Sequence, residues 1–113
     1  MYNTKEVLAK HLNAGAKSDV DQIVSDYSDQ AVLVTMEGTF KGKGEIRSFF
    51  EALFNKFTGL EINLVKQEIF GEKAYIVWKG KAENWNIPLA TDTLFVEDGK
   101  IAFQTFAAQV EPA

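Results

Sequence analysis

His11 is the first residue whose type and position suggest chemistry. It is the only histidine of the chain, and its neighbours at helical spacing, Val7, Leu8 and Leu12, form an apolar stripe. Imidazole is the side chain best suited to move protons near neutral pH, and burial beside a cavity tunes it further. His11 is therefore a candidate acid or base. The alternative is a core or rim histidine bound to a backbone carbonyl.

Asp92 is the second candidate because it interrupts the otherwise uncharged segment IPLATDTLFV. Strict alternation along a strand places its carboxyl on one face with Pro88, Ala90, Leu94 and Val96. A carboxyl on this apolar face must be paired, hydrogen-bonded or protonated. It is either part of a pocket or a structural carboxylate bonded to a neighbouring strand or helix end.

The last strand adds a polar side chain to the same face. Alternation continued through the turn at residues 98–99 places Gln104, Phe106 and Ala108 on the side of the sheet that carries the carboxyl. Because Gln104 is polar, this face is expected to line a cavity.

Capping signals begin two helices that must position these groups. Asn3 or Thr4 caps the first helix, and Glu6 is placed to reach back to the cap. Ser18 and Asp21 repeat the pattern for a short second helix. The buried face of that helix is predicted to consist of Val20, Ile23, Val24 and Tyr27.

A third helix has the clearest helical period in the chain and ends near Gly59. Its apolar residues lie three and four positions apart and are Ile46, Phe49, Phe50, Leu53, Phe54 and Phe57. This stripe must pack against an apolar surface.

The remaining segments predict strands. β-branched residues favour a strand over residues 31–35, and a brief strand at Thr39-Phe40 lies between Gly-containing turns. Four long strands follow at residues 60–70, 74–84, 87–97 and 100–110. Turn residues at two of their joints predict hairpins and an antiparallel meander. The order of elements predicts an α+β fold with three helices on one face of a curved sheet.

Composition limits the class of protein. A chain of 113 residues with 46% hydrophobic and 25% charged residues is expected to form one globular domain over residues 1–113. The absence of cysteine excludes disulfides, and the amino terminus lacks a basic segment followed by an apolar one. We expect a cytoplasmic protein that does not bind membranes. A net charge of −4 with a single arginine argues against nucleic acid as a partner.

No cofactor and no metal are predicted. The segment from Lys41 to Gly44 is too short for a phosphate-binding loop and is interpreted as a turn before the third helix. One histidine and no cysteine leave only carboxylates as metal ligands. Asp19, Asp21 and Asp26 are interpreted as acidic residues at a helix start, where they complement the helix dipole.

The run from Ser18 to Phe57 carries a family resemblance. A short capped helix ends in Tyr-Ser-Asp-Gln-Ala and is followed by a strand, a Gly-rich turn and an aromatic amphipathic helix. This order resembles the first half of the NTF2-like superfamily, which includes the SnoaL-like polyketide cyclases, ketosteroid isomerase and nuclear transport factor 2. The resemblance implies a cystatin-like cone, in which a curved, mostly antiparallel sheet wraps around three helices and encloses a pocket.

Laying the Tyr-Ala-Asp-Asp-Ala segment of ketosteroid isomerase on residues 27–31 transfers its site to this chain. The resemblance places the general base at Thr35, which cannot abstract that proton, and the oxyanion tyrosine at His11. It places the protonated aspartate at Asp92, which is retained. Steroid isomerisation is therefore not implied. SnoaL-like cyclases use an acidic residue near this strand position, which implies Asp92 as acid and base beside His11.

These residues and the resemblance define an expected pocket. Its walls are Phe50, Phe54, Trp78 and Phe106, and its ligand-binding residues also include Thr35 and Gln104. Trp85 is out of phase with Trp78 along the strands, so it is expected near the rim or at a subunit contact. For both tryptophans the alternative is a role in packing alone.

Three functions remain open from the sequence. One is a cofactor-independent isomerase, cyclase or dehydratase that acts on an apolar carbonyl compound through Asp92 and His11. Another is binding of a small apolar molecule without turnover. The third is association, since the outer sheet face with Tyr75 and Val77 is expected to form a homodimer.

Overall fold

The computed structural model describes residues 2–113 and contains three helices and six strands in these residues. The elements are α1 (Thr4–Ala16), α2 (Val20–Ser25), β1 (Tyr27–Thr35), β2 (Gly38–Lys41), α3 (Gly42–Lys56), β3 (Glu61–Phe70), β4 (Lys73–Lys81), β5 (Trp85–Glu97) and β6 (Lys100–Pro112). The strands form one sheet in the order β2-β1-β6-β5-β4-β3. The predicted α+β class and the meander of the last four strands are confirmed.

The first helix begins as its capping signal predicts. The backbone N–H of Glu6 donates to Asn3 Oδ1 at 2.9 Å, and the Glu6 carboxylate accepts from the Asn3 N–H at 3.1 Å. Both contacts satisfy donors that a helix start leaves unpaired. The buried side of α1 includes Val7, Leu8 and His11, so the helix presents its histidine to the protein interior.

The second helix begins one residue later than predicted, because Asp19 rather than Ser18 is its N-cap. Asp19 Oδ1 accepts from the backbone N–H of Gln22 at 3.1 Å. Ser18 has a positive φ of 52° and ends the turn that leaves α1. In this left-handed conformation Ser18 belongs to the turn between the two helices.

The end of α2 differs from the sequence prediction in a way that shapes the site. Asp26 is the C-cap of α2, not a residue of a helix start, and Tyr27 is the first residue of β1, not part of the helix face. The backbone N–H of Ile101 donates to the Asp26 carbonyl at 2.8 Å, and Tyr27 pairs with Ile101 in the parallel β1–β6 ladder. Pairing with β6, which is distant in sequence, therefore sets this boundary.

The third helix begins at Gly42, so the glycines predicted as a turn form its first residues. Gly42 has a φ of 79°, which glycine adopts without steric cost where the chain reverses from β2 into α3. Ile46, Phe49 and Phe50 are the buried residues of α3. They pack over β1, and the two phenylalanines form the aromatic part of the core on this side.

Register shifts bend the long strands, and one of them changes the predicted inner face. A shift between Asn86 and Leu89 places Ile87 in the core at 1% exposure, whereas Pro88 is only half-buried. The prediction that Pro88 shares the inner face with Asp92 is therefore wrong. A β-bulge adds one residue to a strand and inverts the alternation on one side of it. Beyond the bulge, Ala90, Asp92 and Leu94 alternate inward as predicted.

Candidate functional site

A small cavity lies between the helices and the inner face of the sheet. Its volume is about 60 Å³, and most of its lining is apolar, including Leu12 and Ile23 from the helices and Leu33 and Ile76 from the sheet. The cavity brings together most of the predicted site residues: His11, Phe50, Phe54, Trp78, Asp92, Gln104 and Phe106.

The Asp92 carboxyl is held by two donors. Asp92 lies on the inner face of β5, opposite Ile76 of β4 and Phe106 of β6. Its Oδ1 accepts from Trp78 Nε1 at 2.8 Å, and its Oδ2 accepts from Gln104 Nε2 at 2.7 Å. Each oxygen of a carboxyl has two acceptor sites, so Asp92 keeps capacity for a proton or a ligand.

Burial controls the protonation of Asp92. Removal from water disfavours the charged form, which raises the pKa of Asp92 above its ordinary value. The hydrogen bonds from Trp78 and Gln104, and the positive charge of a protonated His11, lower this pKa and only partly offset the effect of burial. The result is a carboxyl that holds its proton at a higher pH than an exposed aspartate does.

Tyr27 orients the amide that holds Asp92. The Tyr27 hydroxyl donates to Gln104 Oε1, so the Gln104 amide nitrogen points to the carboxyl. Burial, followed by the charges of Asp92 and Asp26, raises the pKa of Tyr27 well above its ordinary value. The hydroxyl therefore remains protonated, and the chain of donors runs from Tyr27 through Gln104 to Asp92.

His11 is held by a different carboxylate. Its Nδ1 lies 3.3 Å from Asp26 Oδ2, and Lys10 Nζ lies 3.6 Å from Asp26 Oδ1. The Asp26 side chain is fully buried, and the imidazole also packs edge-on against Tyr27, with ring centroids 5.6 Å apart. Nε2 has no hydrogen-bond partner among residues 2–113, and His11 lines the cavity, so Nε2 is the nitrogen open to a ligand.

His11 and Asp92 therefore belong to two separate hydrogen-bonded clusters that line the same cavity. A positive charge on His11 would lower the pKa of Asp92, but each of the two residues is hydrogen-bonded to other residues. The sequence pattern missed Asp26 and Tyr27 because both were assigned to helical positions. One signal was present: an acidic residue at the carboxyl end of a helix opposes the helix dipole, so it needs another cationic or donor partner.

Thr35 lies apart from this cavity. It ends β1, where its hydroxyl donates to the Gly38 carbonyl at 3.0 Å and accepts from the backbone N–H of Glu37 at 3.1 Å. These contacts stabilise the turn into β2. Thr35 lines a separate groove of about 700 Å³, formed by α3, the β1–β2 turn and the carboxyl-terminal half of β6.

Trp85 is half-buried and is absent from the lining of both spaces. Its ring packs edge-on against Phe57, with centroids 6.5 Å apart, and Lys56 Nζ lies 4.7 Å from its centroid. Only Trp78 of the two tryptophans lines the cavity. The prediction that Trp85 lies on the opposite face is wrong, because the register shift between Asn86 and Leu89 inverts the alternation and turns Trp85 toward the core.

Residues 2–113 contain no group of three histidine, cysteine, aspartate or glutamate side chains arranged to hold a metal ion. In the same part of the chain, no helix has the length and apolar character needed to cross a membrane.

Comparison with known families identifies the class of protein that this fold and cavity define. The chain matches the SnoaL-like domain over residues 8–104, and it belongs to that family. The resemblance to the NTF2-like superfamily is therefore confirmed. No curated protein matches the chain.

Solved structures show the same fold at low sequence identity. A cystatin fold protein from Novosphingobium aromaticivorans is 18% identical with a TM-score of 0.79, covering 94% of this chain and 98% of that one. A candidate polyketide cyclase from Sinorhizobium meliloti is 17% identical with a TM-score of 0.79, covering 88% and 92%. A candidate ketosteroid isomerase from Kribbella flavida is 10% identical with a TM-score of 0.80, covering 94% and 77%. At these identities the likeness shows the fold alone.

Proposed function

We propose that this SnoaL-like protein binds a small apolar carbonyl compound in the cavity and moves a proton on it without a cofactor. The observation that carries the proposal is the Asp92 carboxyl, which lines an apolar cavity together with an imidazole that has one open nitrogen; burial raises the pKa of this carboxyl. The candidate cyclase and isomerase among the similar structures support this class of reaction. We place the protein in the cytoplasm, where a chain without cysteine is at no disadvantage.

The two groups supply complementary halves of a keto-enol step. The Asp92 O–H donates to the carbonyl oxygen, and His11 Nε2 removes a proton from the adjacent carbon. The C–H electron pair forms the new C=C bond, and the oxygen takes the Asp92 proton. The imidazolium then returns its proton at the same or another carbon while the enol O–H proton returns to Asp92.

The surrounding residues stabilise the charges that this step creates. The carboxylate left on Asp92 accepts from Trp78 and Gln104, the donors that hold it in the resting state. The imidazolium that forms on His11 faces the buried carboxylate of Asp26. Asp26 is a positioning residue because it fixes the ring through Nδ1 and leaves Nε2 to act as the base.

The experiment is exchange of the protons next to the carbonyl of a methyl ketone in heavy water, followed by NMR. We expect exchange above the buffer rate with the wild-type protein and a loss of about 100-fold or more in Asp92→Asn or His11→Gln. Asp26→Asn should slow exchange less and shift its pH profile. Asp29→Asn is the matched control, because the Asp29 side chain is 90% exposed and does not line the cavity. Unchanged exchange in Asp92→Asn would contradict the proposal.

Binding without turnover is the second candidate, and one observation favours it. Both Asp92 oxygens already accept a hydrogen bond, as they would in a carboxyl whose role is to hold the sheet together. If ketones shift the NMR signals of the cavity residues while exchange stays at the buffer rate, binding without turnover replaces the catalytic proposal.

We also propose that the outer sheet face pairs with a second copy of the chain. Tyr75, Leu89 and Phe103 point outward with exposures of 38%, 44% and 38%, and half-buried Phe95 and Val77 lie on the same face. Sedimentation at micromolar concentration should show twice the 12.6 kDa mass, and Phe103→Glu should halve it. A wild-type species of 12.6 kDa would remove the dimer.

A further inference from the structure

Three side chains separate the cavity from the larger groove that contains Thr35. Phe49 and Leu53 come from consecutive turns of α3, and Phe106 comes from β6. All three line both spaces, the cavity of about 60 Å³ on one side and the groove of about 700 Å³ on the other. The two spaces are therefore neighbours divided by one layer of side chains.

The cavity alone is too small for most apolar carbonyl compounds. A benzene molecule occupies an engineered protein cavity of about 150 Å³, more than twice the volume available here. The 60 Å³ beside Asp92 accepts a carbonyl group and a few attached atoms. A larger substrate must extend past the dividing layer.

Phe106 is the side chain whose movement would connect the two spaces at the carboxyl. It lies directly opposite Asp92 in the β5–β6 ladder. Its ring stacks on Trp78 with centroids 6.2 Å apart and an interplanar angle of 12°, and it meets the Phe49 ring edge-on at 6.0 Å. Phe106 is only half-buried and lines the groove, so its ring has open space on the groove side.

The lining of the groove suits an apolar chain better than a polar group. Its floor and walls include Phe40, Ala52, Ile87 and Ala108, and its charged residues are Glu37 and Lys56. At its rim Met36 is 75% exposed and Val110 is 40% exposed. Apolar side chains left in water at the edge of an apolar groove gain free energy when a hydrocarbon covers them.

We infer that the substrate is an elongated molecule, with a compact carbonyl head beside Asp92 and His11 and an apolar chain in the groove. Phe106 turns aside when this molecule binds. The inference rests on the proposed function, because the proposed reaction places the carbonyl at Asp92. It adds a second binding region and the substrate class of a carbonyl compound with a hydrocarbon tail.

A series of methyl ketones of increasing chain length tests this inference. In a Trp85→Phe background, the emission of Trp78 reports binding, since Phe106 stacks on that ring and must leave it. Affinity should rise by about fourfold for each added methylene, the factor expected for a methylene transferred from water to an apolar site. The rise should continue well beyond the length that fills the cavity.

Two alanines on β6 provide a matched pair of variants. Ala108 lines the groove, whereas Ala107 is exposed on the outer face of the same strand. Ala108→Phe should abolish the dependence on chain length and leave binding of acetone unchanged. Ala107→Phe should retain the wild-type dependence. Circular dichroism confirms that both variants are folded before affinities are compared.

The outcomes separate this inference from the proposed function. If acetone binds but affinity stops rising as the chain lengthens, or if Ala108→Phe retains the rise, the elongated substrate is excluded and the catalytic cavity stands. If no ketone of any length binds, both the proposed function and this inference fail.

Discussion

Replacing Trp78 by phenylalanine tests whether Asp92 is a buried carboxyl whose ionisation is controlled by its neighbours. The change keeps an aromatic ring over Phe106 and removes the N–H that donates to Asp92 Oδ1 at 2.8 Å. Asp92 then keeps only the donor from Gln104. Because the lost hydrogen bond lowers the pKa of Asp92 in the wild-type protein, the variant must hold its Asp92 proton to a still higher pH.

The sign of the effect on stability follows from proton linkage. The pKa of Asp92 is higher in the folded than in the unfolded state, so between these two values the folded state binds more protons. The contribution of Asp92 to the free energy of unfolding therefore falls as pH rises through this window. In Trp78→Phe the window extends to higher pH, and the loss of stability relative to wild type grows with pH.

The magnitude is that of one hydrogen bond to a charged group. Such a bond contributes about 1.5–3 kcal/mol, whereas the smaller ring costs a further amount that does not depend on pH. We expect the destabilisation by Trp78→Phe to be larger by about 1–3 kcal/mol at about pH 8 than at about pH 4.5.

Urea unfolding followed by circular dichroism at both pH values measures this difference, because the pH-independent packing cost cancels. Trp85→Phe is the matched control, since Trp85 makes no side-chain hydrogen bond within residues 2–113 and should show no change of its effect with pH. Equal destabilisation by Trp78→Phe at the two pH values, or the same pH dependence in the control, would refute the reasoning.

Further predictions concern the residues that support Trp78 and the carboxyl. A Cβ on Gly80 would lie 3.0 Å from the Trp78 ring, so Gly80→Ala should lower the free energy of unfolding by about 1–3 kcal/mol, measured by urea unfolding. Gly44→Ala, which adds a methyl group in open space within α3, should instead raise it by about 0.5–1 kcal/mol. Equal effects of the two substitutions would argue against close packing at Trp78. Tyr27→Phe leaves Gln104 Oε1 without its donor and should cost about 1–3 kcal/mol by the same measurement; a cost near zero would show that this bond contributes little.

Much of the fold could be predicted because local patterns and long-range pairing agree. The period of α3, the capping box of α1 and the turns between the last four strands each predict an element that the structure contains. Boundaries were predicted poorly where a distant strand decides them. Tyr27 has the spacing of a helix face, but its pairing with Ile101 makes it a strand residue.

Sequence patterns also predicted part of the site. Alternation correctly placed Asp92, Gln104 and Phe106 on one inner face, because a strand has a period of two. A second register shift, between Phe95 and Val96, lies inside this segment and aligns Gln104 with inward Leu94. The transfer of a family position to Thr35 did not bring that residue to the cavity, since its hydroxyl belongs to a turn. Which donors hold each carboxyl depends on contacts between distant segments.

By itself, the sequence determined the helices, the meander and the two candidate groups, His11 and Asp92, because these depend on periods and residue types within short segments. The tertiary structure alone decided that His11 pairs with Asp26, and that the Asp92 carboxyl is held by Trp78 and Gln104. The physical reason is burial: once a carboxyl leaves water, its protonation depends on the few donors packed around it, and residues far apart in the chain supply them.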